Sequence, residues 1–290
     1  MYRSLLPVLL LTLLAVSGNS RLAQAAKPEP LRGLIVTGGC CHDYPRQTLI
    51  LKEGLSQRIA ITWDVVHESD AGDTRISIFE KPDWTKGYDV VLHNECYANI
   101  TDPKFIGNIV NAHKDTGVGA IVIHCATHTF RAAETDEWRK LLGVTTRRHE
   151  RTKRSLEVVN QAPQHPIMQN FPKSWNTPNG ELYVIENMWP HAAPLAAASS
   201  TETKKDEICM WTNEYGKARI FGTTLGHHNE TMMADEWLDT VAQAVLWTTR
   251  RLDENGEPTP GYEGTGKAPF SFQRNDGPQP TPADPKSKKK

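Results

Sequence analysis

The chain has 290 residues, with 33 Lys and Arg against 34 Asp and Glu, for a formal net charge of −1. That balance argues against a nucleic-acid-binding protein, which would carry a basic excess. The five cysteines are odd in number and lack a repeated spacing, so they do not read as a disulfide framework; Cys40 and Cys41 are adjacent, and adjacent cysteines are not expected to bridge to each other.

Residues 1–25 read as a secretory signal peptide. Arg3 supplies the positive start, Leu5 to Val16 the apolar run, and Ala23-Gln24-Ala25 an A-x-A cleavage site. The run is shorter than the roughly 20 residues that a spanning helix needs. The expectation is therefore a secreted or periplasmic protein, with no membrane insertion once the signal is cleaved. Leu31 to Thr37 is a short apolar strand running into the turn pair Gly38-Gly39, and Pro45 opens a helix to about Ile59. Ile61 to Val66 and Tyr88 to Leu92 are the next strands. Asp102 or Thr101 caps a helix that has Pro103 at its first position and Phe105, Ile106, Ile109 and Val110 as its apolar stripe. Gly117-Val118-Gly119 ends that helix and leads into the strand Ala120 to Ile123. This alternation of strand and helix predicts a parallel sheet covered on both faces.

After Gly143 short strands dominate: Ser155–Asn160, Leu182–Ile185, Pro194–Ala198, Ile208–Thr212 and Arg219–Thr224, the last two joined by a Gly-containing hairpin turn. An amphipathic helix from about Asp235 to Arg251 closes the body. The reading is one α/β domain over residues 27–252, with antiparallel strands added in the C-terminal half. Residues 253–290, rich in Pro, Gly and Lys, are expected to form a disordered tail.

In a parallel sheet, ligands bind outside the carboxyl ends of the strands. Those ends carry Cys40-Cys41-His42-Asp43, His93-Asn94-Glu95, His124-Cys125-Ala126-Thr127-His128 and His227-His228-Asn229-Glu230. Six of the eleven histidines sit there, which points to one shared pocket. Three chemistries fit it. Imidazoles can exchange protons near neutral pH with a carboxylate partner. Histidines and carboxylates can bind zinc or a related divalent ion. Cys125, on a strand-to-helix turn, could act as a nucleophile with His227 or His228 as base, although the glycines of a nucleophile elbow are missing. Gly38-Gly39 lacks the G-x-G-x-x-G pattern, which argues against a nucleotide site. Trp175 and Trp189 lie in loop-like segments, where an aromatic face could stack on a sugar.

Several of these segments together resemble the ThuA-like (trehalose-utilisation) family: Leu34 to Gly39 followed by His42, Tyr88 to Val91, Gly119 to His124, Trp138 before Leu142-Gly143, His165-Pro166-Ile167, Glu181-Leu182-Tyr183, and Tyr215 to Phe221 with Thr224 to His227. The resemblance runs in order from about Arg32 to Leu252. It implies a flavodoxin-like, class I glutamine amidotransferase-like three-layer α/β fold and a place in sugar or 3-keto-sugar metabolism. The amidotransferase's cysteine-centred triad is not reproduced in its usual context, so glutaminase activity is not implied. The family positions fall on His42, His124, His149, Glu181 and His227. The expectation drawn is a keto-sugar isomerase or hydrolase with His124, Glu181 and His227 as catalytic residues, and His42, His149, Trp189 and His228 as substrate-binding residues. No cofactor is required; if a divalent metal is bound, His42, His124 and His227 are its ligands. The expected partner is a small-molecule sugar substrate.

Overall fold

The computed structural model of the protein describes residues 27–276, so the expected signal peptide and the basic end of the tail lie outside the described residues. β1 (Leu31–Gly39), β2 (Ile61–His67), β3 (Val90–Cys96) and β4 (Gly119–Ile123) are joined through α1 (Tyr44–Ser56) and α2 (Pro103–Thr116). Then come α3 (Glu137–Leu142), β5 (Val144–His149), β6 (Glu157–Asn160), β7 (Ser174–Asn176), β8 (Tyr183–Met188), β9 (Ala193–Ser199), β10 (Asp206–Tyr215) and β11 (Ala218–Thr223). The chain continues through α4 (Asn229–Met232), α5 (Asp235–Thr248) and α6 (Ser271–Asp276).

Nine strands form one sheet in the order β2-β1-β3-β4-β11-β10-β9-β6-β7, and β5 pairs with β8 in a separate two-stranded sheet. The first five positions are parallel, and from β10 outward the pairing is antiparallel. The parallel part has the 2-1-3-4-5 order of flavodoxin-like sheets, in which ligands gather where the connections change direction, beside the first strand. α1 and α5 cover one face over Ile35, Leu92, Ile121 and Phe221. α2 and α3 cover the other over Leu34, Val91, Val122 and Ile220. Among the described residues, no helix is long and apolar enough to cross a membrane.

The ends of the elements follow local chemistry. Asp102 accepts from the backbone N–H of Lys104 and Phe105 ahead of Pro103, and Gly117 closes α2 with a left-handed φ of 82°. At the end of β1, a Cβ on Gly39 would stand 2.3 Å from the Cys96 carbonyl oxygen. Glycine there lets β1 lie against the end of β3.

Two expectations change. β3 does not stop at Leu92 but runs on to Cys96, because the ladder to β1 continues through Gly39↔Cys96. The tail is not disordered from 253: up to 276 it folds back over α1 and α5. The Ala60 N–H donates to the Tyr262 carbonyl (2.9 Å), the Gly264 N–H to the Arg58 carbonyl (3.1 Å) and the Ser271 N–H to Glu53 (2.7 Å). Tyr262 and Phe270 are buried against the core. Lys267 and Arg58 both pair with Asp235 and Asp239 beneath this segment. Two aromatic anchors and these pairs offset the ordering entropy that composition alone weighs against.

The longer β3 places His93 and Glu95 inside the fold. Burial pushes Glu95 well above the usual carboxylate range and lowers His93 and His113 to about 3. All three are then neutral and linked in a single direction, with Glu95 Oε2 left without a partner. Protonated Glu95 donates to His93 Nδ1 (2.9 Å), His93 Nε2 to His113 Nε2 (3.1 Å), and His113 Nδ1 to the Val118 carbonyl (2.8 Å). Below pH 6.5 the unfolded chain protonates both histidines while the fold does not, so stability falls as pH drops from 6.5 toward 3. Glu95, protonated in the fold, opposes that trend from neutral pH down to its ordinary 4.5. His113→Leu removes one of the two titrating imidazoles. Its acid slope of unfolding free energy should be shallower by about 1.4 kcal/mol per pH unit. At pH 7 it should cost about 1–3 kcal/mol by stranding the His93 donor. Urea unfolding at several pH values between 5 and 7 measures both; an unchanged slope would remove this network from the acid response.

Candidate functional site

Three strand ends and one outlying two-stranded sheet build the site. After β1, the left-handed Gly38 and Gly39 (φ 117° and 91°) lead into Cys40 and Cys41, which are joined by a disulfide, contrary to the sequence expectation. The turn brings the two sulfurs together, which a count of spacings cannot anticipate. His42 follows, and Asp43 accepts from the Arg46 N–H to start α1. After β4, His124 takes a left-handed φ of 46°, a conformation rare outside glycine and one that marks functional sites. After β11 come Leu225, Gly226 and His227. The Gly226 carbonyl accepts from Gln47 Nε2 (3.2 Å), and Asn229 Nδ2 donates to Asp43 (3.0 Å), tying this loop to the one after β1. Glu181 precedes β8. The hydrogen bond from Glu150 N to the Leu182 carbonyl (2.7 Å) and that from Arg154 N to the Gly180 carbonyl (3.0 Å) hold it over the sheet edge.

The side chains converge. His124 Nδ1 donates to the Thr224 carbonyl (2.5 Å), so Nε2 carries the lone pair. That Nε2 lies 3.2 Å from His227 Nδ1, 3.4 Å from Glu181 Oε2 and 3.3 Å from the Tyr183 hydroxyl. The same Glu181 oxygen is 3.3 Å from His227 Nδ1. His42 closes the group, its ring edge-on to His124 and His227 with centroids 4.9 and 4.7 Å apart. Both His42 nitrogens are buried without a hydrogen-bond partner. Such atoms cost free energy unless a bound group satisfies them.

Electrostatics sets the charge states. Burial, then the neighbouring His124 and His227, lower His42 to about 2. Burial also lowers His124, outweighing the pull of Glu181. At Glu181, burial works upward, but the hydrogen bonds and charges of His124 and His227 win and hold the carboxyl below its usual range. The result is a carboxylate whose ionised form depends on a proton held by the imidazoles beside it. One nitrogen from each of His42, His124 and His227 lies within 4.8 Å of the others, a spacing that could hold a metal ion.

The expected residues divide. His42, His124, Glu181 and His227 come together. His228 stands beside them, its ring 4.4 Å from His227, its Nδ1 buried without a partner and its pKa lowered to about 4 by burial and then His227. His149 lines the mouth, half exposed, with Nδ1 2.7 Å from the Glu150 carbonyl and 3.5 Å from Glu181 Oε1. Trp189 is not in the site. It follows the far end of β8, about 20 Å along the strand from Tyr183, where its Nε1 donates to Thr145 (3.2 Å). Trp175 is buried in the core around β6 and β7. The sequence reading missed Tyr183, which reaches His124 and stacks on His128 with centroids 4.3 Å apart. Nothing local marks it; only the β5–β8 pairing delivers it. Cys125 is buried, its thiol pushed well above the usual range by Cys96 and by burial, which does not favour it as the nucleophile of this site.

The sequence matches the family described as "ThuA: Trehalose utilisation" over residues 32–248. Among solved structures, a ThuA-like protein from Parabacteroides merdae superposes with a TM-score of 0.63 at 17% identity, covering 82% of this chain and 100% of its own. One from Bacteroides uniformis gives 0.61 at 16% identity, covering 82% and 98%. At these identities the likeness speaks to fold. No curated protein matches. With the family match spanning nearly the whole of the sheet and its helices, the chain belongs to the ThuA family.

Proposed function

We propose that this chain is an enzyme that acts on a sugar or 3-keto-sugar derivative by proton transfer. Glu181 and His124 are the proton-transfer pair, and His227 and His42 hold substrate oxygen. The observation that carries this reading is the buried Glu181 carboxylate set 3.3–3.4 Å from two imidazole nitrogens. Such a pair holds a proton that either partner can release. The family's description as trehalose utilisation supports the sugar class.

A hydrogen next to a sugar carbonyl is acidic enough for a buried carboxylate or imidazole to remove. His42 or His227 would donate an N–H to the enediolate oxygen, and His124 would return the proton. Delivery to the neighbouring carbon gives an isomer. Loss of a β-leaving group, followed by addition of water, gives net hydrolysis. The N-terminal apolar run with its A-x-A site supports export, and the Cys40–Cys41 disulfide fits an oxidising compartment.

A second reading, a metal-dependent hydrolase, is favoured by the three imidazoles and by the His124 Nδ1 bond to a backbone carbonyl, the arrangement that orients metal-bound histidines. Three imidazoles beside a carboxylate suit zinc or a similar ion. A divalent ion held there would polarise a carbonyl or water, with Glu181 as the base.

Glu181→Gln keeps the shape and removes the charge. It should lower kcat on keto-disaccharides by about 10²–10⁴-fold, and His124→Ala should do the same; turnover left intact in both would reject the assignment. Elemental analysis of protein purified without added metal separates the two readings. One equivalent of a divalent ion, lost in His42→Ala and His227→Ala, supports the hydrolase reading. Full activity in chelator-treated, metal-free protein supports metal-free proton transfer.

A further inference from the structure

Beside the histidine site lies a second cluster that the proposed chemistry does not use. Cys41 is exposed and bonded to Cys40. Cys40 Sγ lies 3.8 Å from Cys96 Sγ, and Cys96 Sγ lies 2.7 Å from Cys125 Sγ. Cys96 and Cys125 are buried thiols. The four sulfurs therefore form one contiguous cluster from the surface inward, with those of Cys40, Cys41 and Cys96 all within 4.8 Å of one another. Its origin is the parallel sheet: β1, β3 and β4 are neighbours, and each delivers sulfur at or just past its carboxyl end. Gly39 pairs with Cys96 across the ladder, and only the missing Cβ at Gly39 lets the Cys40-Cys41 turn sit over it. Cys209, buried on β10 in the main core, is outside this cluster.

We propose that Cys40, Cys41, Cys96 and Cys125 form one thiol–disulfide exchange unit. Its bridge moves between Cys40–Cys41 and Cys96–Cys125, and an external dithiol or disulfide exchanges with it at Cys41. Internally, the Cys96 thiolate attacks Cys40 Sγ. The Cys40–Cys96 bond forms, the Cys40–Cys41 bond breaks, and Cys41 leaves as a thiolate that takes up a proton. The Cys125 thiolate then attacks Cys96 Sγ, forming Cys96–Cys125 and releasing Cys40, which accepts the proton that Cys125 gave up. One disulfide and two thiols stand on each side, so no net oxidation occurs. At the surface, one thiolate of an external dithiol attacks Cys41 Sγ and releases Cys40. Its second thiol then releases Cys41, so the dithiol becomes a disulfide as the protein gains two electrons and two protons.

The hydrogen bond inside the cluster suits this direction. The Cys125 thiol donates to Cys96, and that bond lowers Cys96 below the usual thiol range despite its burial. The sulfur next to the surface disulfide is thus the better nucleophile.

The test is disulfide mapping of the full chain. Protein equilibrated with mixtures of reduced and oxidised dithiothreitol is quenched in acid, alkylated and digested without reduction, then read by mass spectrometry. The expected result is a population of Cys96–Cys125-bridged peptide alongside Cys40–Cys41, with one bridge and three free thiols per chain in either form. Cys96→Ser should lose the inner bridge and keep the outer one. Cys41→Ser, which frees Cys40, should trap Cys40–Cys96 under the same conditions. If wild-type protein shows only Cys40–Cys41 at every ratio, and Cys40 and Cys96 both stay fully alkylated in Cys41→Ser, the proposal is overturned. The wild-type measurement needs no variant to fold.

Discussion

Parallel alignment of β1, β3, β4 and β11 is the constraint on which the rest of this molecule depends. Parallel strands end together, so the residues just past each strand are forced onto one edge of the sheet, however far apart they lie in the chain. His42, His124 and His227 span 186 positions of sequence yet lie ring against ring. The same geometry gathers Cys40, Cys96 and Cys125 one strand over. Both clusters share the turn after β1 and the turn after β4, where His124 and Cys125 are consecutive. Glycine at 38 and 39 and the left-handed backbone of His124 are what this crowding demands.

Two sets of histidines are buried here, and their partners tell them apart. His93 and His113 are satisfied: each ring nitrogen has a donor or acceptor in the Glu95–Val118 chain. His42 has neither nitrogen satisfied, and His124 Nε2 faces His227 Nδ1 and a Glu181 oxygen. Burial lowers the pKa in both sets, so the shift alone does not separate them. The unmet hydrogen-bonding capacity does.

The sheet edge was readable because strand, turn and histidine are contiguous: Ile123-His124 or Gly226-His227 announces itself within a few residues. His93 belonged to that pattern by sequence, but the ladder to β1 carries β3 past it and turns it into the core. Glu181 carries no local signal and came only through family resemblance, because its position depends on β5 and β8 pairing across 33 intervening residues. Trp189 failed for the same reason, since the strand β8 that starts with Tyr183 at the site runs away from it toward Trp189. The segment after 253 looked too polar to fold, yet Tyr262 and Phe270 find an apolar surface ready on α1 and α5. Composition weighs the segment alone and cannot see that surface.

What remains is the charge of the site. An ionised Glu181 is a buried negative charge with no Lys or Arg paired to it among the described residues. A buried anion is costly unless positive charge joins it. A proton shared between Glu181, His124 and His227 meets that need, and so does a divalent ion held by the same nitrogens. Acid–base and metal-dependent chemistry are therefore two ways of meeting one electrostatic requirement. Under either proposed chemistry the reacting atoms of a substrate would lie against His42, whose two buried nitrogens lack a partner.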